Sequence, residues 1–560
     1  MIPDSASTAG IAAAASRLRA LLPQASDYRA MRRDPRRDVV AGLTVAIVAL
    51  PLALAFGVAS GLGAGAGLVT AVVAGVVAAL LGGSNLQVSG PTGAMTVVLL
   101  PIVAQFGTSA VLVVGLLAGL FLIALAVVGA GRWMQFVPLP VVEGFTLGIA
   151  VIIGLQQVPS ALGVSVDGEK VLGRAIEAIV LWFAAPQWAP VLVAGFVALS
   201  MLLAIRLRPG LPVSLPAVVV ATLAVSFFPL DAATIGAIPT GFPAPALPDV
   251  VWSQLSAFVL PALAVAALAA LESLLSATVA DGMSVGERHD SDRELFGQGM
   301  ANLVAPIFGG VPATAAIART AVNVRSGARS RLASLIHSVA LLVVMLVAAP
   351  WVGHIPLAAL AGVLLATVVQ MVEVSNLRAL MRATRGDALV LVATAVATVV
   401  FDLVTAVVVG LVVAGLYALR QVSQSAHLDE VPLDTSDHSD AERALLDEHV
   451  VAYRLDGPLF FGAAHRFLLE LSEVGDVRVV ILRLGRVQTL DATGATVLGQ
   501  TIRDLEGRGI TVLLSGIRDE HDTVFSTLGV YAHLAHEAHV FASTPEAIDH
   551  ARRHLATTPH

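Results

Sequence analysis

The chain contains no cysteine, so disulfides and thiolate metal sites are excluded, and cysteine usage says nothing of the redox compartment. Charged residues make up 13% of the 560 residues, where a soluble domain carries about 25%. Excess basic charge is missing as well: the formal net charge is -7, which leaves no electrostatic footprint for nucleic acid. No P-loop, metal-ligand cluster or nucleophile–base pair stands out. An enzyme is therefore not expected, and neither is a cofactor, a catalytic residue or a bound metal. The amino terminus has no clean signal peptide. A basic run, Arg29, Arg32, Arg33, Arg36 and Arg37, stands just before the first long apolar segment.

What the chain has in quantity is apolar sequence. Hydrophobic residues make up 57% and the mean hydropathy is +0.85, the profile of a polytopic α-helical membrane protein. Runs long enough to span fall near 39–57, 66–83, 110–130, 138–158, 189–206, 213–229, 257–279, 334–350, 355–372, 387–402 and 404–420. Three more, 91–105, 295–309 and 315–325, are apolar but interrupted, which brings the expectation to about fourteen membrane helices. Residues 171–184 read as an interfacial helix with Arg174 and Glu177 on its polar face. With the amino terminus inside, the arginines near the ends of the spans, among them Arg132, Arg206, Arg293, Arg325, Arg385 and Arg420, fall on the cytoplasmic side, and the opposite side receives little beyond Lys170 and Arg174. The composition turns polar and acidic from about residue 421 and then alternates β-rich runs with helical patterns. The expected organisation is a cytoplasmic segment 1–38, a membrane domain 39–420, a linker 421–447 and a cytoplasmic α/β domain 448–556.

Two interrupted segments share a design. QVSGPTGAMTVVLLPIVAQ (87–105) and GGVPATAAIARTAVNVRSG (309–327) each run from an extended piece through Gly or Pro into a short helical pattern. Half-helices that start at mid-membrane present unpaired N–H groups and partial positive charge. Two of them in corresponding halves point to a midplane binding site, here one that favours an anion. Broken helices kept for packing are the alternative. Arg319 adds a full cation beside the second half-helix, where a charge costs ~3 kcal/mol and calls for a partner. Glu272, in PALAVAALAALESLLSATVAD, is the nearest candidate, with Ser276 as polar support. Either the two form a structural ion pair, or Arg319 holds an anion while Glu272 binds a proton.

The stretches DVVAGLTVAIVALPLALAFGVASG, VSGPTGAMTVV, PLPVVEGFTLGIAVIIGLQQ, LESLLSATVAD, RELFGQGMANLVAPIFGG, ARTAVNVRSGARS and IPLAALAGVLLAT follow one another in this order. They resemble the SulP anion-transporter family, the sulfate permeases and their relatives, and the tail around LDATGATVL resembles that family's STAS domain. The resemblance implies a seven-plus-seven inverted repeat, a core domain moving against a gate domain, a cytoplasmic STAS domain and a homodimer in the bacterial inner membrane. It implies a secondary active transporter of a small inorganic anion, bicarbonate or sulfate, whose partners are that anion, a coupling ion and membrane lipid, with no nucleic acid.

Residue by residue, it implies that Thr92, Gly93 and Ala94 bind substrate from the first half-helix. Ala316, Ile317 and Ala318 offer backbone N–H from the second, beside Arg319, and Phe56 and Ala53 line the cavity. Within the family, the membrane segments are most similar to the BicA-type bicarbonate transporters, which use sodium. Those carry an aspartate where Glu272 stands, a threonine where Ser276 stands and a glycine where Arg319 stands. Ile317 has no side-chain oxygen for sodium, and a fixed cation one turn away repels it. A proton carried by Glu272 is therefore expected as the coupling ion. Sodium-coupled bicarbonate symport, anion exchange and an uncoupled channel stay open as alternatives. In the tail, Thr493 matches a serine that is phosphorylated in STAS-type regulators, so it is a candidate phosphosite or else a helix N-cap.

Overall fold

A computed structural model describes residues 19–557 except 169, 209–210, 229, 239–240, 248–254, 285–286, 402, 426, 431–448 and 461–476. The chain divides into two compact units, residues 1–411 and 412–560.

The first unit is helical because its sequence is a series of apolar runs punctuated by Gly and Pro. Among the described residues, eight helices are long and apolar enough to cross a membrane. In chain order the elements are α1 (Pro35–Ala59), α2 (Ala64–Leu81), β1 (Ser89–Gly90), α3 (Gly93–Phe106), α4 (Thr108–Val128), α5 (Leu139–Leu162), α6 (Val171–Ala184), α7 (Trp188–Leu207) and α8 (Ser214–Phe227). The order then begins again with α9 (Leu255–Met283), α10 (Ser291–Val304), β2 (Thr314–Ala315), α11 (Ile317–Arg325), α12 (Leu332–Val347), α13 (Leu357–Met371), α14 (Arg385–Val400) and α15 (Leu403–Ser425). Each half opens with a long helix and a shorter one, then a two-residue strand and a half-helix. The helix expected at 171–184 is α6; it carries exposed Leu172, Ile176 and Phe183 on its flank. Helix ends follow local chemistry. Helices α4 and α5 stop at Gly129 (φ 76) and Gly163 (φ 72) in the left-handed region, which glycine enters without a Cβ penalty.

The second unit is an α/β sheet domain. It contains β3 (His427–Glu430), β4 (Val450–Leu459), β5 (Val479–Arg483), β6 (Val487–Leu490), α16 (Ala492–Gly507), β7 (Thr511–Ser515), α17 (Asp519–Thr527), β8 (Val540–Phe541) and α18 (Thr544–Thr557). The strand order is β3-β4-β5-β7-β8, with β6 also on β4, and only β3 runs antiparallel to its neighbour. Strand alternation sends Val480 and Leu482 into one core with Leu498 and Ile502 of α16. Val479 and Ile481 go into the opposite core with Ile548 and Ala551 of α18.

Helix α15 runs on to Ser425, past residue 420, and β3 begins at His427, inside the stretch expected as linker 421–447. HLDE is too short and too acidic to announce a strand, and it is the neighbour β4 that recruits it to the sheet edge. The remainder of that linker, and residues 1–18 of the amino-terminal segment, lie outside the described residues.

Candidate functional site

Strands β1 and β2 pair with each other, antiparallel, with Ser89 opposite Ala315 and Gly90 opposite Thr314. Pro91 has no N–H to donate and holds the residue before it extended, so the VSGPT stretch cannot continue a helix. Each strand leads at once into a half-helix: Thr92 is the N-cap of α3 and Ala316 that of α11. Helix α11 has 9 residues, a rise of about 13 Å against a hydrocarbon core of ~30 Å. The first intrahelical bonds are from Thr96 N–H to the Thr92 carbonyl and from Thr320 N–H to the Ala316 carbonyl. The N–H groups before them have no acceptor within their own helices. The two-residue sheet therefore draws together two positive helix ends, which suits an anion.

The expected residues meet around this crossing, and their exposure is uneven. Thr92 and Ala94 are buried. Gly93 lies under α1 and α5: a Cβ there would stand 3.1 Å from Phe56 Cε1 and 2.4 Å from Ile153 Cδ1. On the other half-helix, Ala316 is half-buried, Ala318 exposed and Ile317 41% exposed. The N-terminus of α11 is thus the open one, while Phe56 and Ile153 cover that of α3. Ala53 is fully buried on α1 and belongs to the packing rather than to an open surface.

Glu272, on α9, accepts a hydrogen bond from Thr92 Oγ1 at 2.8 Å. One residue on, Ser273 Oγ accepts from the Ala315 N–H at 3.2 Å, and Gln87 Nε2 donates to the Ser273 carbonyl at 2.7 Å. Ser276 Oγ donates to Thr320 Oγ1 at 2.9 Å, and the Val88 N–H donates to the same oxygen at 3.2 Å. Helix α9 therefore touches the residue leading into β1, strand β2, and both half-helices or their caps.

The structural Glu272–Arg319 ion pair, one of the two alternatives, is not made. Arg319 Nη2 donates to the Pro91 carbonyl at 2.9 Å, and Nη1 has no partner. The side chain is 1% exposed and crosses behind β1 to the base of the opposite half-helix. A long arginine reaches past its own helix turn, and here the backbone carbonyl lies in its path. Gly90 makes the passage possible, since a Cβ at that position would lie 2.5 Å from Arg319 Nη1 and 3.3 Å from the Ala71 Cα. Gly90→Ala is expected to displace the guanidinium, to cost about 1–3 kcal/mol of stability and to slow anion uptake about ten-fold. In the Gly90→Ala/Arg319→Ala double variant the clash with the guanidinium is gone and only the tight contact with the Ala71 Cα remains, so its uptake should fall little further than that of Arg319→Ala alone. Flux and thermal unfolding of the three variants check this.

Sequence reasoning expected an interrupted segment at 295–309 but missed the polar face of α10 (Ser291–Val304) that frames the crossing. Glu294, Gln298 and Asn302 of α10 are all buried. Glu294 accepts from the Gly83 and Ser84 N–H groups at 3.0 and 3.2 Å and from Gln298 Nε2 at 2.8 Å. Gln298 Nε2 also donates to Ser89 Oγ of β1 at 2.6 Å. Asn302 clasps Ala313, the residue before β2, through both its carbonyl and its N–H. One face of α10 thereby fixes the loop into β1, β1 itself and the entry to β2. The signal was present as Glu, Gln and Asn at four-residue spacing in RELFGQGMAN, which is one helical face. Gln298→Leu leaves a buried carboxylate short of a donor and should destabilise the protein by about 2–4 kcal/mol, read as a lowered Tm together with slower uptake. His337 on α12 was missed too; it is fully buried and neither ring nitrogen has a hydrogen-bond partner.

In the second unit, Thr493 is exposed in the first turn of α16. It is not the N-cap: Asp491 fills that place and accepts from the Gly494 N–H at 2.7 Å. A carboxylate already serves the helix end, which leaves the Thr493 hydroxyl outside the capping arrangement.

Residues 36–394 match the sulfate permease family and residues 444–547 the STAS domain. The putative sulfate transporter YvdB of Bacillus subtilis (strain 168) is 35% identical over 477 residues, covering 83% of this chain and 88% of that protein. The bicarbonate transporter BicA of Picosynechococcus sp. (strain ATCC 27264 / PCC 7002 / PR-6) is 34% identical over 493 residues, covering 84% of this chain and 87% of that protein. Among solved structures, the transmembrane domain of a cyanobacterium bicarbonate transporter BicA matches with a TM-score of 0.62 at 33% identity, over 67% of this chain and 98% of that domain.

Proposed function

Because the chain belongs to the sulfate permease family, a family of multi-pass membrane anion transporters, we propose that it is a secondary active transporter of bicarbonate or sulfate. It works by alternating access and is coupled to a proton. The observation that carries this reading is the β1–β2 crossing, which brings two half-helix N-termini together beside a carboxylate and a buried cation. The substrate docks at the open end of α11, on the N–H groups of Ile317 and Ala318, within reach of those of Gly93 and Ala94. Arg319 contributes charge from behind β1 and holds the Pro91 carbonyl in place.

Glu272 carries the coupling proton. Its carboxylate bonds to Thr92 and has no cation bound to it directly, so an incoming anion meets a like charge. Two unit charges ~5 Å apart repel by about 3 kcal/mol at an effective dielectric of 20. Protonation removes that repulsion, and proton and anion favour each other's binding. Ser276 supports Glu272 indirectly, by fixing Thr320 and the start of β1 against α9. The working unit is a homodimer in the cell membrane, with the amino terminus and the STAS domain in the cytoplasm. The STAS domain is separable from the membrane domain, and phosphorylation of exposed Thr493 regulates it.

Reconstituted full-length protein tests the reading with labelled sulfate first, because bicarbonate exchanges with permeant carbon dioxide when a pH gradient is imposed. Concentrative, saturable uptake that accelerates when the outside is acidified, at constant sodium, is the expected result. Stimulation by a sodium gradient that persists after the proton gradient is collapsed overturns the coupling, and unitary current steps overturn alternating access.

A further inference from the structure

Between α13 and α14 stands a short helix, Val374–Ala383, that takes no part in the half-helix crossing. The chain leaves helical geometry at Val372 (ψ 97) and Glu373 (ψ 81) before it and at Thr384 (ψ 153) after it, so its 10 residues form an element of their own. One side of it is fixed. Asn376 Nδ2 donates to Glu143 Oε1 of α5 at 3.4 Å and to Glu373 Oε2 at 2.6 Å, and Leu377 and Leu380 on that side are half-buried.

The other side is open and carries charge of one sign. Arg378 and Arg382 are exposed and, four residues apart, share one face. Arg385 follows as the exposed first residue of α14. Among the described residues the three guanidinium groups have no hydrogen-bond or ion-pair partner. Val374 and Met381, 48% and 51% exposed, flank the arginines. Basic and apolar residues side by side on a short helix suit a membrane surface. A second observation sets the level of this face. Leu389, Val392, Val396 and Val400 of α14 are exposed at spacings that line one face, and Arg385 stands on that same face one turn before Leu389. Lipid tails are the solvent for such a stripe, which puts Arg385 at the height of the phosphates. The interfacial helix α6 differs, since its polar face balances Arg174 with Glu177.

We propose that Arg378, Arg382 and Arg385 bind the phosphate of an anionic phospholipid such as phosphatidylglycerol, whose acyl chains lie along the exposed stripe of α14. The planar fork of arginine matches phosphate oxygens, and its aliphatic stem rests on apolar surface while the charge reaches the headgroup. The bound lipid ties the connection between α13 and α14, and through Asn376 the start of α5, to one surface of the bilayer. The rival occupant is the acidic stretch of this chain that holds Asp434, Asp437, Asp440 and Glu442. Its charge fits the arginines, but charge alone leaves Val374, Met381 and the α14 stripe uncovered.

The test is lipid retention by the purified full-length chain, read by native mass spectrometry as phosphatidylglycerol or phosphatidylcholine is titrated in. The expected result is a phosphatidylglycerol held by each chain that phosphatidylcholine does not displace. Arg378→Gln, Arg382→Gln and Arg385→Gln should each weaken its binding about five-fold, and the triple variant on the order of 100-fold. Arg174→Gln on α6 should leave it unchanged. The Arg378→Lys/Arg382→Lys/Arg385→Lys variant keeps the charge and should keep most of the affinity, which separates lost binding from a lost fold. Equal retention of the two lipids by the wild type, or equal retention of phosphatidylglycerol by the wild type and the triple glutamine variant, overturns the site. So does lipid binding that emerges only after Asp434, Asp437, Asp440 and Glu442 are changed to their amides, because that stretch is then the occupant. Retention is read without flux, so this site and the anion site fail separately.

Discussion

Arg319→Ala is expected to lower anion uptake about 100-fold in proteoliposomes, with the protein still folded. Among the described residues the guanidinium is the one full positive charge found at the crossing of the half-helices. It lies against the Pro91 carbonyl, immediately before the Thr92 cap of α3. Deleting it removes an attraction for a bound anion worth about 3 kcal/mol at ~5 Å and an effective dielectric of 20. It also leaves the Pro91 carbonyl without its donor, a loss of ~1–3 kcal/mol. The two contributions can be separated. Arg319→Gln keeps a donor for the carbonyl without charge, whereas Arg319→Lys keeps the charge without the fork of donors. If charge dominates, lysine recovers uptake and glutamine does not; if bracing the backbone dominates, the order reverses. An alanine variant that binds anions with wild-type affinity removes Arg319 from the site altogether.

Glu272→Gln should uncouple transport while sparing recognition. A glutamine still accepts the bond from Thr92 Oγ1 that the carboxylate accepts at 2.8 Å, so the geometry of the α3 cap is kept. It cannot ionise, so the anion meets no like charge in either orientation of the carrier. Exchange of internal for external anion should continue near the wild-type rate. The acceleration by an inward proton gradient, about 100-fold if the repulsion removed is about 3 kcal/mol, should vanish. Sulfate uptake measured against external pH should become flat. A variant that keeps the full proton response shows that another group carries the proton.

The apolar runs made the order of helices legible, because a ~30 Å hydrocarbon core imposes its length on the sequence. The half-helices were legible for a complementary reason: SGPTG and VPATA sit where no helix can run through them. The partner of Arg319 was not legible. Charge complementarity pointed to Glu272, but a flexible side chain is directed by what lies within its reach, and the nearest acceptor was a backbone carbonyl 228 positions away. The same limit hid the role of α10. Its polar face has meaning only once Ser89 and Ala313, from two distant segments, are set against it. The strand at His427 was invisible because its pairing, not its composition, makes it a strand.

The polarity of α10 and α11 has a consequence for how the protein is made. Neither is among the helices apolar enough to cross a membrane by composition. Helix α10 carries Asp292, Arg293 and Glu294, and α11 carries Arg319 and Arg325. A charge at mid-span, as Arg319 is expected to be, disfavours entry from the translocon by ~2.5–3.5 kcal/mol, so α11 does not partition into lipid as an isolated helix, and α10 begins with three charges in its first turn. Their polar partners, Gly83, Ser89 and Pro91, lie in the segment between α2 and α3, so that segment must already be in place to receive them. The crossing of the half-helices is therefore a late product of biogenesis, and a nascent chain halted before the second half is complete has spans but lacks the site proposed for the anion.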